Sequence, residues 1–244
     1  MYRKEGNLGN TVQTVGLSTV IGPSRGIWYD SISNSTDELL ICNGWFQSSY
    51  QKIDKGTSAV FAGVHITDTA GYDSSDTVEW MRRSGMTIGA RDPGTASYLS
   101  SLGIRAELVG CASLLLPRYD GPRSGDVYVD YTNMESQATH FIPEDISWSQ
   151  RWALATKALE LYRTAKCVFT SRLHVALPCI AMGTPILINP NVDRRRFSIL
   201  DHLGVKYGKA VEVDSGRIKL TFLNFLGSQL GRTLTQGAAT MPEC

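Results

Sequence analysis

The run Thr170-Ser171-Arg172-Leu173-His174 combines residue types that can bind an anion and move a proton. Arginine carries a permanent charge on a planar fork, and histidine titrates near neutral pH. Residues 167–169 read as a buried strand, and 175–182 as a helix that stops at Gly183. A strand, a turn and a helix in that order deliver Ser171, Arg172 and His174 to the carboxyl end of the strand. Ligands bind there in open α/β sheets, and the free amides of the helix start attract negative charge. The same residues also read as a capped helix beside a surface arginine and a satisfied histidine.

A second cluster, Gly89-Ala90-Arg91-Asp92-Pro93, again lies between an expected strand and helix. Arg91 can hold a phosphate or carboxylate, and Asp92 can orient it. Asp92 as N-cap with Pro93 at the first helical position explains both residues without a ligand. Gly9, in Asn7-Leu8-Gly9-Asn10, allows a backbone to approach a ligand closely. Asn43 and Trp45, after a strand, offer an amide and an aromatic wall of the kind sugar sites use, or a turn with a packed Trp. His65 follows another strand and either faces the same cleft or is structural. Arg194-Arg195-Arg196 can steer an anion, but reads better as a solvated helix start.

These residues need a scaffold of alternating strands and helices. Strands are expected at 39–42, 59–64, 86–90, 106–109, 127–129, 167–169 and 186–188. Helices are expected at 77–81, 95–102 and 175–182, with another opened by a Ser147–Gln150 capping box. In that helix Leu154, Ala158, Leu161 or Tyr162, and Ala165 recur at helical spacing as a buried face. The alternation predicts an α/β fold with parallel, doubly wound sheets. Pro178 must sit in a first turn or kink its helix. Residues 117–125 read as a linker and the last dozen residues, 233–244, as a tail.

Composition bounds the rest. The chain has 244 residues, 42% hydrophobic and 19% charged, enough for a sizeable soluble core. A net charge of +1 argues against a broad nucleic-acid platform. No apolar run approaches the length of about 18 residues that spans a bilayer, and no secretory leader is visible, so the expected location is cytoplasmic. Five scattered cysteines fit reduced, buried thiols. No P-loop, GxGxxG, HExxH or Asp-x-Asp motif occurs, and the four histidines lack metal-ligand spacing, so no metal is expected.

Taken in order, several segments resemble the polysaccharide pyruvyl transferases. They are Asn7-Leu8-Gly9-Asn10-Thr11-Val12-Gln13, Asn43-Gly44-Trp45-Phe46, Val64-His65-Ile66, Ile88-Gly89-Ala90-Arg91-Asp92 with Gly110-Cys111 beyond, and the block 165–185. Asn10 stands where that family often has Asp. The resemblance implies two Rossmann-like domains facing a cleft, similar to GT-B glycosyltransferases. An N-terminal domain, 1–118, would be the acceptor side, with its first strand short or missing; a C-terminal domain, 119–232, would be the donor side. It implies phosphoenolpyruvate as donor, no cofactor, and a glycan or lipid-linked saccharide as acceptor, in exopolysaccharide or cell-wall glycan biosynthesis. His174, Arg172 and Arg91 carry over as catalytic residues, and Ser171, Leu173, Asn7, Gly9, Asn43, Trp45, His65 and Asp92 as substrate-binding ones. A GT-B type glycosyltransferase using a nucleotide sugar, and a non-catalytic glycan- or anion-binding relative, are the competing readings.

Overall fold

The structure, a computed structural model, describes residues 6–22, 39–46, 58–66, 75–132 and 134–239. It contains two parallel sheets. The first holds β1 (Leu40–Trp45), β2 (Ala59–His65), β3 (Ile88–Ala90) and β4 (Ala106–Leu108) in that order; the second holds β5 (Asp126–Val129), β6 (Cys167–Thr170) and β7 (Ile186–Ile188). The helices are α1 (Gly9–Ile21), α2 (Ser75–Ser84), α3 (Pro93–Ser101), α4 (Trp148–Thr164), α5 (Leu173–Met182), α6 (Ser198–His202) and α7 (Gly216–Ala239). The α/β class and the parallel pairing match expectation, but strand order runs monotonically in both sheets. Among the described strands neither sheet reverses direction, so the doubly wound arrangement is not seen there.

The inner strands of the first sheet, β2 and β3, are buried along their whole length, as parallel strands covered by helices require. In β2, Ala59 and Phe61 pack toward Val78, Trp80 and Met81 of α2, whereas Val60 and Ala62 pack toward Phe222, Phe225 and Leu226 of α7. The alternation breaks at Gly63, where φ is +76° and the ladder is irregular, and Val64 returns to the α2 side. Only a residue without a Cβ fits: a Cβ there would stand 2.9 Å from the carbonyl oxygen of Gly110.

The helices do not keep to a division at residue 118. α1 packs on α4 and α5, beside the second sheet, whereas α7 packs back on β2. Each buried Leu or Phe side chain contributes about 1.5–3 kcal/mol, so Phe222, Phe225 and Leu226 anchor the last helix firmly. That helix takes in residues 233–239 of the stretch expected as a tail; 240–244 lie outside the described residues.

Ser147 and Gln150 form the expected capping box at the start of α4. The buried face of that helix differs by one position. Arg151, Ala155, Ala158, Leu159 and Tyr162 are buried, while Leu154 is 39% exposed. The spacing is helical either way, and Arg151 decides the rotation. Its guanidinium is fully buried and donates to the carbonyls of Pro143 and Glu144, which an apolar pattern cannot reveal. Pro178 is the sixth residue of α5, not in its first turn. It removes the N–H that would otherwise donate to the carbonyl of His174. Gly183 closes α5 in the left-handed region, as expected.

Candidate active site

The carboxyl ends of both sheets meet at one cavity. Trp45 and His65 end β1 and β2, Arg91 follows β3, and Ser171 to His174 follow β6 into α5; all line it. Asn7 and Asn10 from the start of α1, His140, and Arg196 with Phe197 complete the wall. Three arginines and three histidines face this space, and no carboxylate does among the described residues. Such a lining favours an anion with more than one negative charge.

Each element fixes its side chain for an identifiable reason. Thr170 is buried at the end of β6. Its hydroxyl donates to the carbonyl of Val129 (2.9 Å) and accepts from the backbone N–H of Arg172 (2.9 Å), which turns the chain out of the sheet. Leu173 and His174 then open α5, and the backbone N–H groups of a helix start, which lack an intrahelical partner, favour negative charge. Arg172 donates from Nε to Asp130 (3.0 Å), and its guanidinium lies 3.9 Å over the Phe141 ring. Its terminal nitrogens make no hydrogen bond within the described residues.

Asp92 plays both roles open to it in the sequence. One carboxylate oxygen caps α3 through the Thr95 N–H (2.9 Å), and the other accepts from Arg91 Nε (3.1 Å) and lies 2.6 Å from His65 Nδ1. Burial pushes its pKa up, but Arg91 and the hydrogen bonds from His65 and Thr95 outweigh that and hold it well below the usual carboxylate range. Burial, reinforced by Arg91, lowers His65 to about 4. The His65–Asp92 contact has the spacing of an ion pair, but at neutral pH it is a hydrogen bond from a neutral ring. Since a carboxylate only accepts, Nδ1 carries the proton and Nε2 of His65 is left as an acceptor.

His174 is only partly shielded as a residue, yet its Nε2 is occluded and has no hydrogen-bond partner. Burial, then the charge of Arg91, holds its pKa well below 6.5, so the free protein presents a neutral imidazole. The hydroxyl of Ser171 is likewise buried and unsatisfied. Such groups call for a partner that a ligand can supply.

Several expectations shift in detail. Gly9 does make a close approach, but to His174: a Cβ on it would sit 2.8 Å from Nδ1 of that ring. Its N–H is held by Asn7 Oδ1 at 2.9 Å. Asn43 is 4% exposed and does not line the cavity, and neither atom of its amide finds a partner. The β1 ladder is irregular between Cys42 and Gly44, which breaks the alternation that would have set Asn43 beside Trp45. Arg196 is not simply solvated: its guanidinium reaches to 5.8 Å from the Trp45 ring, across the cavity. Arg194 and Arg195 pair instead with Asp201 and Asp193. His140 and Asp130 were not foreseen. Asp130 directly follows β5, so the rule that pointed to the other strand ends covers it too.

Among the described residues no group of three or more His, Cys, Asp or Glu could hold a metal, and no helix is long and apolar enough to cross a membrane.

The fold defines a parallel α/β protein with a cavity lined by three arginines between the carboxyl ends of two sheets. The family Polysaccharide pyruvyl transferase matches residues 17–188, more than half of the sequence, and the chain belongs to that family. The match takes in Trp45, His65, Arg91 and Ser171 to His174 but begins after the Asn7–Gly9 loop. No curated protein matches the chain. A functionally uncharacterized protein of Klebsiella pneumoniae subsp. pneumoniae NTUH-K2044 has a similar structure: 17% identity, 80% of this chain and 84% of that one covered, TM-score 0.54. At that identity the likeness is one of fold.

Proposed function

We propose that the protein transfers pyruvate from phosphoenolpyruvate to two hydroxyls of a glycan or lipid-linked saccharide, forming a ketal, with no cofactor. One observation carries this reading. Arg91 and Arg172, on different sheets, are each tethered to an aspartate through Nε, and His174, whose Nε2 has no partner, lines the same cavity. Phosphoenolpyruvate carries a phosphate and a carboxylate, which two arginine forks and the α5 start suit.

The chemistry follows from the charges. A proton adds to the methylene carbon of the donor, C2 becomes electrophilic, and a sugar oxygen bonds to it as the hydroxyl loses its proton. The C2–O bond to phosphate then breaks, phosphate leaves with the electron pair, and a second hydroxyl closes the ketal as its proton passes to the phosphate. His174 handles the proton. Neutral in the free protein, it gains basicity when the anionic donor offsets Arg91 and Arg196. Arg172 and Arg91 stabilise the departing phosphate.

The two parallel sheets sharing one cavity support a likeness to the GT-B arrangement, with 119–232 as donor side. The cytoplasm is the proposed compartment. Incubating the protein with labelled phosphoenolpyruvate, or with labelled nucleotide sugars, and a panel of glycans tests the reading. Label reaching a glycan from the first supports it; transfer only from the second contradicts it.

A further inference from the structure

Among the described residues, Asp130 is the only non-glycine residue with positive φ, at +46°. That conformation costs free energy for a residue with a Cβ, and such residues persist where surrounding contacts over-determine them. Three contacts do so here. The Asp130 N–H donates to the hydroxyl of Ser136 (2.9 Å), and its Oδ2 accepts both from the backbone N–H of His140 (3.0 Å) and from Nε of Arg172 (3.0 Å). Val129, the last residue of β5, pairs with Thr170 at the end of β6. The left-handed turn just after Val129 brings the carboxylate across to residue 172.

Arg172 is thereby held along one edge by Asp130 and on one face by the Phe141 ring. Phe141 is fixed in turn by its N–H bond to Thr139 and by a backbone bridge to Asn7. What remains unbonded is the terminal pair of guanidinium nitrogens, the half of the fork that recognises a phosphate or carboxylate. Arg91 is held through the same nitrogen by Asp92. We infer that Asp130 is a positioning residue for substrate binding: it spends the Nε donor of Arg172 on the protein and so orients the terminal nitrogens toward the anionic donor.

The inference rests on the donor reading above, but one arm of its test does not. Asp130→Asn keeps a residue tolerant of left-handed backbone while replacing the charged acceptor of the Nε bond by a neutral one. Calorimetry should show phosphoenolpyruvate affinity falling about tenfold or more. Turnover at saturating donor should fall as well, because the same guanidinium stabilises the departing phosphate, while the melting temperature should stay within a few degrees. Wild-type affinity in that variant, or an affinity loss accompanied by a large drop in melting temperature, overturns the inference. In a crystal structure of Asp130→Gly, where the backbone is relieved, the Arg172 guanidinium should have left the Phe141 ring. If it stays in place, Asp130 does not position it, whatever the donor proves to be. A wild-type protein that does not bind phosphoenolpyruvate refutes the donor reading alone, and the crystallographic arm still decides the role of Asp130.

Discussion

Gly9 and His174 touch: the space a Cβ on Gly9 would need is taken by the imidazole, 2.8 Å away at Nδ1 and 3.1 Å at the ring's own Cβ. The first turn of α1 therefore forms the wall against which the His174 ring rests, although the two residues are 165 positions apart in the sequence. Gly9→Ala should displace the ring by a few tenths of an ångström or more. Misplacement on the ångström scale costs about a hundredfold in rate, so turnover should fall toward that extent while circular dichroism stays native. Full activity in the alanine variant contradicts the contact.

Arg91 and Arg172 each spend Nε on an aspartate and leave two terminal nitrogens for a ligand. Lysine keeps the charge but can reproduce neither the tether nor the fork. Arg172→Lys and Arg91→Lys should each raise the donor dissociation constant about tenfold or more, the value of one charge-assisted hydrogen bond. Unchanged affinity in calorimetric titration argues against use of the fork.

Asp92 joins stability to the site. It caps α3 and, among the described residues, is the only carboxylate paired with the buried guanidinium of Arg91. Asp92→Ala leaves that charge buried and unpaired, and breaking such a pair costs about 3–5 kcal/mol. Urea unfolding should register a loss of that order together with weaker donor binding. A variant as stable as the wild type contradicts the arrangement.

The buried histidines set the response to acid. Burial lowers both His65 and His140 to about 4, against about 6.5 for an unfolded histidine. Between these values the unfolded chain binds protons that the folded one refuses. The stabilising effect is therefore complete above about pH 6.5 and is lost as the pH falls toward 4. Asp92 acts in the same direction at lower pH, since its depressed pKa contributes above about 3.9 and fades below. Between pH 6.5 and 5 the loss should be on the order of 2 kcal/mol per histidine. A urea midpoint that is equal or higher at pH 5 than at pH 7 contradicts this assignment of protonation states.

Much of this architecture was legible in the sequence. The short apolar runs became the seven strands because a parallel strand buried on both faces must be apolar throughout, which is a local property. Arg91, Asp92 and the Ser171 to His174 turn were legible because strand ends followed by helix starts are where such sheets bind anions. Asn43 was misplaced because a ladder irregularity at Gly44 leaves no local mark. Leu154 was misplaced because one buried arginine, satisfied by two carbonyls, outweighs an apolar pattern. Asp130, His140 and Arg196 enter the site through contacts between segments distant in sequence, as does the exchange of α1 and α7 between the sheets.

The proposed reaction has His174 move a proton while pyruvate passes from phosphoenolpyruvate to a glycan. Its most direct test is transfer of label from carbon-labelled phosphoenolpyruvate to a glycan panel, run in parallel for the wild type and His174→Ala, with mass measurement of the product. The expected result is a pyruvyl ketal and free phosphate with the wild type, and neither with a folded His174→Ala protein that still binds the donor. Near-normal transfer by that variant, or no transfer by the wild type to any acceptor, would contradict the claim.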